Sequence, residues 1–315
     1  MEIAFGPVPS RRLGRSLGVN NIPNKICSYS CVYCQLGNTV NLKTNRMRFY
    51  DPNELIEEVH EKIKLAGSEN IDYVTFVPDG EPTLDINLGM EASKIADYGV
   101  KVAIITNSSL IPDSNLRQEL ETFDLVSLKI DAVSEEIWNK VNRPSKDLDF
   151  RKIKDGIMDF AKEFNGKLIT ETMLVGNVDY NEELKGIASF LAMVNPDESY
   201  ISIPIRPTPE KWAIPPGPEV VNFAFQLFSK VVGKVELLTT SEGEGFYSTG
   251  DFETDFLGIT SVHPMRDDSV AVFLKKYGKD QETVDSLVRE GKIIPVYYNG
   301  HYFYLKRFRE RETLL

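Results

Sequence analysis

The sequence predicts an α/β protein, a partial (β/α)6 barrel followed by a small winged-helix-like domain. Three observations carry this. From Arg15 to about Thr240, short runs rich in Val, Ile or Leu alternate with helical stretches in six units. Polar motifs stand at the C-terminal ends of several of these runs. After about Gly258 the pattern changes to two short helices and two alternating strands. Repeated strand–helix units imply a parallel sheet with right-handed crossovers. Six units fit an open doubly wound sheet or a curved partial barrel, and ligands of both bind at strand C-terminal ends; with polar motifs there, the expectation is the barrel, which an open, flat sheet would contradict.

The expected strands are Leu17–Asn21, Tyr73–Val77, Val102–Thr106, Leu125–Ile130, Leu168–Leu174 and Tyr200–Pro204, with Val235–Thr239 as a seventh. Their short apolar runs suit strands buried on both faces. The expected helices are Glu54–Leu65, Leu88–Tyr98, Asn115–Thr122, Glu135–Val141, Phe150–Phe164, Glu182–Val194 and Glu219–Val232. Asp51 can cap the first, with Pro52 at its first position and Glu54 three residues after the cap. Ser241–Leu257, with Gly243, Gly245 and Gly250, reads as a loop long enough to be a lid. In the tail, Asp267–Tyr277 and Glu282–Glu290 read as helices, and Lys292–Tyr298 and His301–Arg307 as strands. Asn299-Gly300 between them is the strongest short hairpin signal. The expected domains are 1–257 and 258–315.

Composition excludes several classes. At 315 residues, 42% hydrophobic and 26% charged, the chain is an ordinary globular one, large enough to bury a core without disulfides. No run of 18 apolar residues is present, and the start lacks a signal-peptide pattern, so a cytoplasmic protein without a membrane span is expected. The net charge of −11 argues against non-specific binding to phosphate backbones. From Ile259 onward the balance is +2, against −13 for the remainder, so the tail is the less acidic part.

All three cysteines lie within eight residues, Cys27-Ser-Tyr-Ser-Cys31-Val-Tyr-Cys34. A disulfide framework needs an even, dispersed set. Three thiolates on one short loop suit a metal centre with soft ligands, iron–sulfur or zinc. Structural zinc takes four protein ligands, and there is no fourth cysteine; His60 and His263 are distant in sequence. Three ligands on a cluster leave one iron open. The bland reading is three unrelated core cysteines.

Further polar groups stand where a sheet ligand would lie. Pro78-Asp79-Gly80-Glu81-Pro82-Thr83 follows the second strand, and alone would be a turn. Thr106 and Asn107 end the third strand; Lys129 and Asp131 end the fourth, where they also fit a structural pair at a barrel rim. Glu171 sits inside an apolar strand, so its carboxylate should face a polar cavity or a partner. Arg206 follows the sixth strand and suits either an anionic group or a proline-stiffened surface. The opening Gly6–Gly18 holds Arg11, Arg12 and Arg15 and reads as an anion site or as a segment wrapping the barrel.

The C-x3-C-x2-C spacing with Tyr33 before the last cysteine resembles the signature of the radical S-adenosylmethionine (SAM) superfamily. The resemblance covers roughly residues 5–240. It implies a 4Fe–4S cluster on Cys27, Cys31 and Cys34, whose open iron chelates SAM, and reductive cleavage of SAM to a 5′-deoxyadenosyl radical that takes hydrogen from a substrate. It implies that Gly80 and Glu81 receive the SAM amino group, although Asp79 replaces a usual glycine. Tyr33, Thr106, Asn107, Lys129, Asp131, Glu171 and Arg206 are then expected around SAM or substrate. It also implies an electron donor such as flavodoxin or ferredoxin. The opening and Asp-Gly-Glu-Pro-Thr-Leu resemble the iron–sulfur oxidoreductases that include wyosine-type tRNA synthases, whose second cluster this chain has no cysteines to hold. Activating enzymes that install a glycyl radical are similar too. An RNA or protein substrate is expected, with a small molecule as the alternative. From another class, a nucleic-acid-binding regulator with a structural cluster would use the winged helix but needs no SAM pocket.

Overall fold

The computed structural model describes residues 3–23, 25–238, 251–262, 264–298 and 300–307, without the side chains of Ser261 and Val262. Eight strands form one sheet in sequential order: β1 (Ala4–Ser10), β2 (Gly14–Val19), β3 (Tyr73–Phe76), β4 (Val102–Thr106), β5 (Leu125–Lys129), β6 (Lys167–Met173), β7 (Glu198–Ser202) and β8 (Val235–Leu238). From β2 to β8 every neighbour is parallel. The sheet curls into a partial barrel. Helices α1 (Pro52–Ala66), α2 (Leu88–Ala96), α3 (Ser114–Leu120), α4 (Glu135–Asn142), α5 (Phe150–Glu163), α6 (Asn181–Val194) and α7 (Pro218–Phe228) lie in the crossovers. Their apolar faces close the main core against the outer face of the sheet, with Leu55, Val59, Ile95, Ile157 and Leu191 buried among strand residues. Asp51 caps α1 by accepting from the Asn53 N–H at 2.9 Å, with Pro52 at the first position.

The parallel part has seven strands, the run from Val235 being the expected seventh, and an antiparallel strand precedes them. The opening segment does not wrap the barrel: it pairs along β2 as a hairpin, from Ala4 opposite Val19 to Ser10 opposite Gly14. Gly18 makes this possible, because the Phe5 ring lies 2.1 Å from where its Cβ would be. The hairpin turn then tucks under the barrel. Leu13 is buried with Ala103, Leu125, Ile169, Tyr200 and Leu238, which come from five successive strands. Arg11 donates to the Leu237 carbonyl at 3.3 Å, tying the turn to β8. Arg15 turns away, to exposed Asp72, with 2.9 Å between Nη2 and Oδ1.

The expected loop over 241–257 differs in its last part. Residues 241–250 lie outside the described residues, but α8 spans Phe252–Val262. It is followed by β9 (Met265–Arg266), α9 (Asp267–Lys276), α10 (Gln281–Arg289), β10 (Ile293–Tyr298) and β11 (His301–Lys306). Phe252 and Phe256 of α8 join Phe273, Val284, Leu287 and Ile293 in a second core, so the expected boundary at 257/258 falls inside a helix. The small sheet has the order β10-β11-β9, all antiparallel. Tyr298 pairs with His301, which leaves a two-residue connection, and Gly300 has φ +87°. This unit rests on β1, where Val8 packs against the second core, and so covers an edge strand.

Candidate active site

The segment between β2 and α1 carries the cysteines and has no regular structure, so its backbone needs partners elsewhere. It finds them at the end of α4. Ser30 donates to the Asn142 carbonyl at 3.1 Å, Val32 to that of Val141 at 2.9 Å, and Ser145 donates to the Ser28 carbonyl at 2.9 Å. The Trp138 indole donates to Tyr29 Oη at 3.0 Å, and Val32 is buried with Val141, Val175 and Ala213. Held this way, Cys27, Cys31 and Cys34 are half-buried and line one wall of a cavity of about 300 Å³. The other walls are the C-terminal ends of β3 to β7 and the turn below. Among the described residues no three His, Cys, Asp or Glu side chains converge on a single metal ion. Thiolates of a cubane cluster are spread over separate irons, and three soft ligands along a shared wall fit that group. Burial raises the Cys27 thiol, and raises Cys31 to about 12 with help from the Asp131 charge. A cluster held on Cys27 and Cys31 would therefore displace their protons as it bound.

Gly80 and Glu81 lie against this loop. A Cβ on Gly80 would stand 1.8 Å from the Ile26 carbonyl oxygen, and the Glu81 N–H donates to that same oxygen at 3.1 Å. Only glycine lets the β3 exit approach the cysteine loop so closely. Gly80→Ala is expected to cost about 1–3 kcal/mol or more, since backbone must shift, read as a lower urea midpoint together with poorer cluster loading. An unchanged midpoint would contradict this close approach.

Glu81 is 1% exposed and already well supplied with donors. Its Oε1 accepts from the Thr83 N–H at 3.1 Å and from the Thr83 and Thr106 hydroxyls at 2.6 Å each; Oε2 accepts from the Asn107 N–H at 2.8 Å. Burial pushes its carboxyl up, and these bonds pull it back. Asn107 passes the connection on, donating from Nδ2 to Ser28 Oγ at 2.9 Å. Glu81 thus joins the exits of β3 and β4 to the cysteine loop, leaving Oε2 room for one further donor.

A charged chain crosses the barrel interior. Glu171 pairs with Arg12, which reaches up from the hairpin turn, and with Lys129 at 3.2 Å; it also accepts from Ser202 Oγ at 2.9 Å. Lys129 lies 4.9 Å from the centre of the Tyr33 ring and 3.7 Å from Asp131 Oδ1. A buried carboxylate with two cations and a hydroxyl is satisfied. Asp131 does not line the cavity. Its carboxylate accepts from Tyr33 Oη, from Asn142 Nδ2 at 2.7 Å and from the Met173 N–H at 2.8 Å, bracing the cysteine loop from behind. Arg206 is at the mouth, 2.7 Å from Gln35 Oε1, beside the apolar strand-end residues Ile203, Pro204 and Ile205.

Of the residues expected from the sequence, Cys27, Cys31, Tyr33, Cys34, Gly80, Glu81, Thr106, Asn107, Lys129, Glu171 and Arg206 all line the one cavity. The sequence reading missed Gln35, Ser202 and Asn142. It left open whether Arg11 and Arg12 reach a site; both line this cavity. The tail also reaches it: Tyr298 Oη donates to the carbonyl of Pro204 at 3.2 Å.

A family model for the radical SAM superfamily matches residues 21–191. The chain is 47% identical over 315 residues to UPF0026 protein MJ1312 of Methanocaldococcus jannaschii, covering 99% of this chain and 98% of that one. Among solved structures, a radical SAM methyltransferase from Sphaerobacter thermophilus aligns with a TM-score of 0.56 at 14% identity, covering 71% of this chain and 67% of that one. SuiB of Streptococcus suis, solved with its precursor peptide SuiA, aligns with a TM-score of 0.52 at 13% identity, covering 68% and 47%. At these identities the two structures speak to the fold alone. With more than half of its length matched by the family model and the cysteine loop at the barrel mouth, this chain belongs to the radical SAM superfamily.

Proposed function

We propose that this enzyme holds a 4Fe–4S cluster on Cys27, Cys31 and Cys34, cleaves SAM reductively, and modifies a protein presented at the barrel mouth. The observation that carries the reading is the shared cavity, onto which the three thiols, Glu81, Thr106 and Asn107 all open. When bound, the cluster and SAM supply one-electron cleavage to a 5′-deoxyadenosyl radical. The chain's own residues do the rest. Glu81 Oε2 accepts from the ammonium of SAM, a charge-assisted bond in a buried setting. Lys129 and Arg12 set the potential around Glu171, and Arg206 offers a cation at the mouth. Ile203, Pro204 and Ile205 give an apolar wall that keeps water from the radical. Flavodoxin or ferredoxin in a reducing cytoplasm would supply the electron.

A macromolecular substrate is favoured by the small domain, here taken as 252–307 and proposed to be a winged helix. Its hairpin touches the cavity rim through Tyr298, while Tyr297 and Tyr302 on the same hairpin are exposed, with ring centres 5.1 Å apart. Exposed tyrosines suit protein contacts. Between Phe252 and Arg307 there are eight Lys/Arg and eight Asp/Glu, so there is no basic excess to favour RNA.

The test has two parts. Anaerobically reconstituted protein with dithionite and SAM should form 5′-deoxyadenosine; none above a cluster-free control would refute the reading. Peptides and nucleosides compared between wild-type and deletion strains should differ in a peptide. The Tyr297→Ala, Tyr302→Ala double variant should keep uncoupled SAM cleavage and lose that peptide mark. A missing nucleoside instead would make the substrate RNA.

A further inference from the structure

Each cysteine sulfur receives a side-chain N–H from a different part of the chain. Lys25 Nζ lies 2.7 Å from Cys34 Sγ, Asn107 Nδ2 lies 3.5 Å from Cys27 Sγ, and Asn142 Nδ2 lies 3.6 Å from Cys31 Sγ. The donors come from the loop before the cysteines, the exit of β4 and the last residue of α4. Cys27 also accepts from the Tyr29 N–H at 3.5 Å.

The backbone gives a second, independent observation. Among the described residues, five that are not glycine have positive φ: Lys25, Ser108, Arg143, Asn177 and Asn195. Lys25 is itself a sulfur donor, at +54°. Ser108, at +67°, directly follows Asn107; Arg143, at +46°, follows Asn142 as the left-handed residue that ends α4, an ordinary helix ending. Side chains with a Cβ enter this region at a cost, and such costs persist where the surroundings fix a functional geometry. Here Lys25, itself a donor, and Ser108, next to Asn107, hold this conformation outside any helix ending.

We propose that Lys25, Asn107 and Asn142 are positioning residues that raise the reduction potential of the cluster on Cys34, Cys27 and Cys31. The proposal rests on the cluster reading above. Reduction adds one negative charge to the cluster, and much of it resides on sulfur. An N–H aimed at sulfur stabilises the reduced form more than the oxidised form, so the potential rises. Lys25 adds a full positive charge on the same vector, so its effect is the largest. Asn107 and Asn142 contribute dipoles and keep two thiolates oriented. The effect is an easier one-electron reduction by a low-potential donor protein.

The experiment is an EPR-monitored redox titration of full-length protein after anaerobic reconstitution, with iron and sulfide measured on each sample. Lys25→Met keeps the length of the side chain and removes its charge. Its midpoint should move negative by at least a tenfold change in the reduction equilibrium, which is 59 mV for one electron. Lys25→Arg should recover most of that shift, and Asn142→Leu should shift the same way by less. Lys25→Met with full iron and an unmoved midpoint overturns the proposal. If Lys25→Met does not load iron, Asn142→Leu decides, and an unmoved midpoint there overturns it equally. Wild-type protein that takes up no iron and sulfide overturns the cluster reading itself, which the iron assay shows before any titration.

Discussion

Cys27→Ala, Cys31→Ala and Cys34→Ala should each bring 5′-deoxyadenosine formation down to the cluster-free background, while wild-type protein carries roughly four irons and four sulfides per chain. The expectation is steep because, among the described residues, no other cysteine or histidine lines the cavity beside the three thiols. They are the only cysteines in the chain. His60 stacks on Tyr98, 3.9 Å between ring centres, and His301 bonds Asp267 at 3.0 Å in the small domain. Neither lines the cavity. The loss should be chemical rather than structural. The cysteine loop is anchored by its backbone bonds to the end of α4 and by Val32 and Tyr29, none of which uses a sulfur. Near-native circular dichroism with absent iron is therefore the expected pairing. A variant that keeps its cluster and cleaves SAM would remove that cysteine from the ligand set. Iron well above four per chain with matching sulfide would require ligands other than cysteine.

The parts of this fold that were legible in the sequence are those in which local pattern and burial agree. Val74, Val102, Ile104, Val126 and Leu128 lie in strands buried on both faces, so they read as short apolar runs. Asn299-Gly300 announced a hairpin through turn chemistry alone. β1 was not legible, because Gly6, Pro7 and Pro9 break its alternation; β2 and the Phe5–Gly18 fit supply what local propensity does not. α8 carries a signal of its own within the expected loop: Phe252, Phe256 and Ile259 recur at helical spacing and are all buried. Its Gly258 and β-branched Ile259, Thr260 and Val262 weaken the propensity, so packing against α9 and β1 decides the helix.

The site divides in the same way. Strand-end position brought Glu81, Thr106, Asn107 and Lys129 together, because parallel strands deliver their C-terminal ends to one face. Direction of the side chain is a separate matter. Asp131 also ends a strand, yet its carboxylate turns behind the cysteine loop to Tyr33, Asn142 and the Met173 N–H. The Arg12–Glu171 pair spans 159 positions and depends on a hairpin turn that enters the barrel from below, which no window of sequence contains. The sulfur donors Lys25, Asn107 and Asn142 are separated in the same manner and become visible only when α4 and β4 are folded around the loop.

Glu81→Ala should produce two losses at once, and Glu81→Gln should separate them. Alanine deprives the Thr83 and Asn107 backbone N–H groups and the Thr83 and Thr106 hydroxyls of one shared acceptor. The hydroxyls can rotate toward other oxygens, but the two buried N–H groups cannot. At about 1–3 kcal/mol for each buried donor left unmet, stability should fall by roughly 2–6 kcal/mol, read from urea unfolding. SAM affinity should fall as well, by roughly 10- to 100-fold for a charge-assisted bond of about 1.5–3 kcal/mol. Alanine alone would not say whether SAM is lost because its acceptor is gone or because the β3 and β4 exits have loosened. Glutamine keeps one oxygen, enough for the three donors that meet at Oε1, but has no charge and presents an NH2 group where Oε2 stood. If Oε2 receives the ammonium of SAM, Glu81→Gln should regain only the stability that rests on Oε1, with the Asn107 N–H still unmet, while binding SAM nearly as weakly as alanine, with iron content unchanged in equilibrium dialysis of the loaded protein. If Glu81 serves only to join the strand exits, affinity and stability should return together. Wild-type SAM affinity in Glu81→Gln would leave Glu81 as a structural hub and assign the ammonium to other acceptors in the cavity.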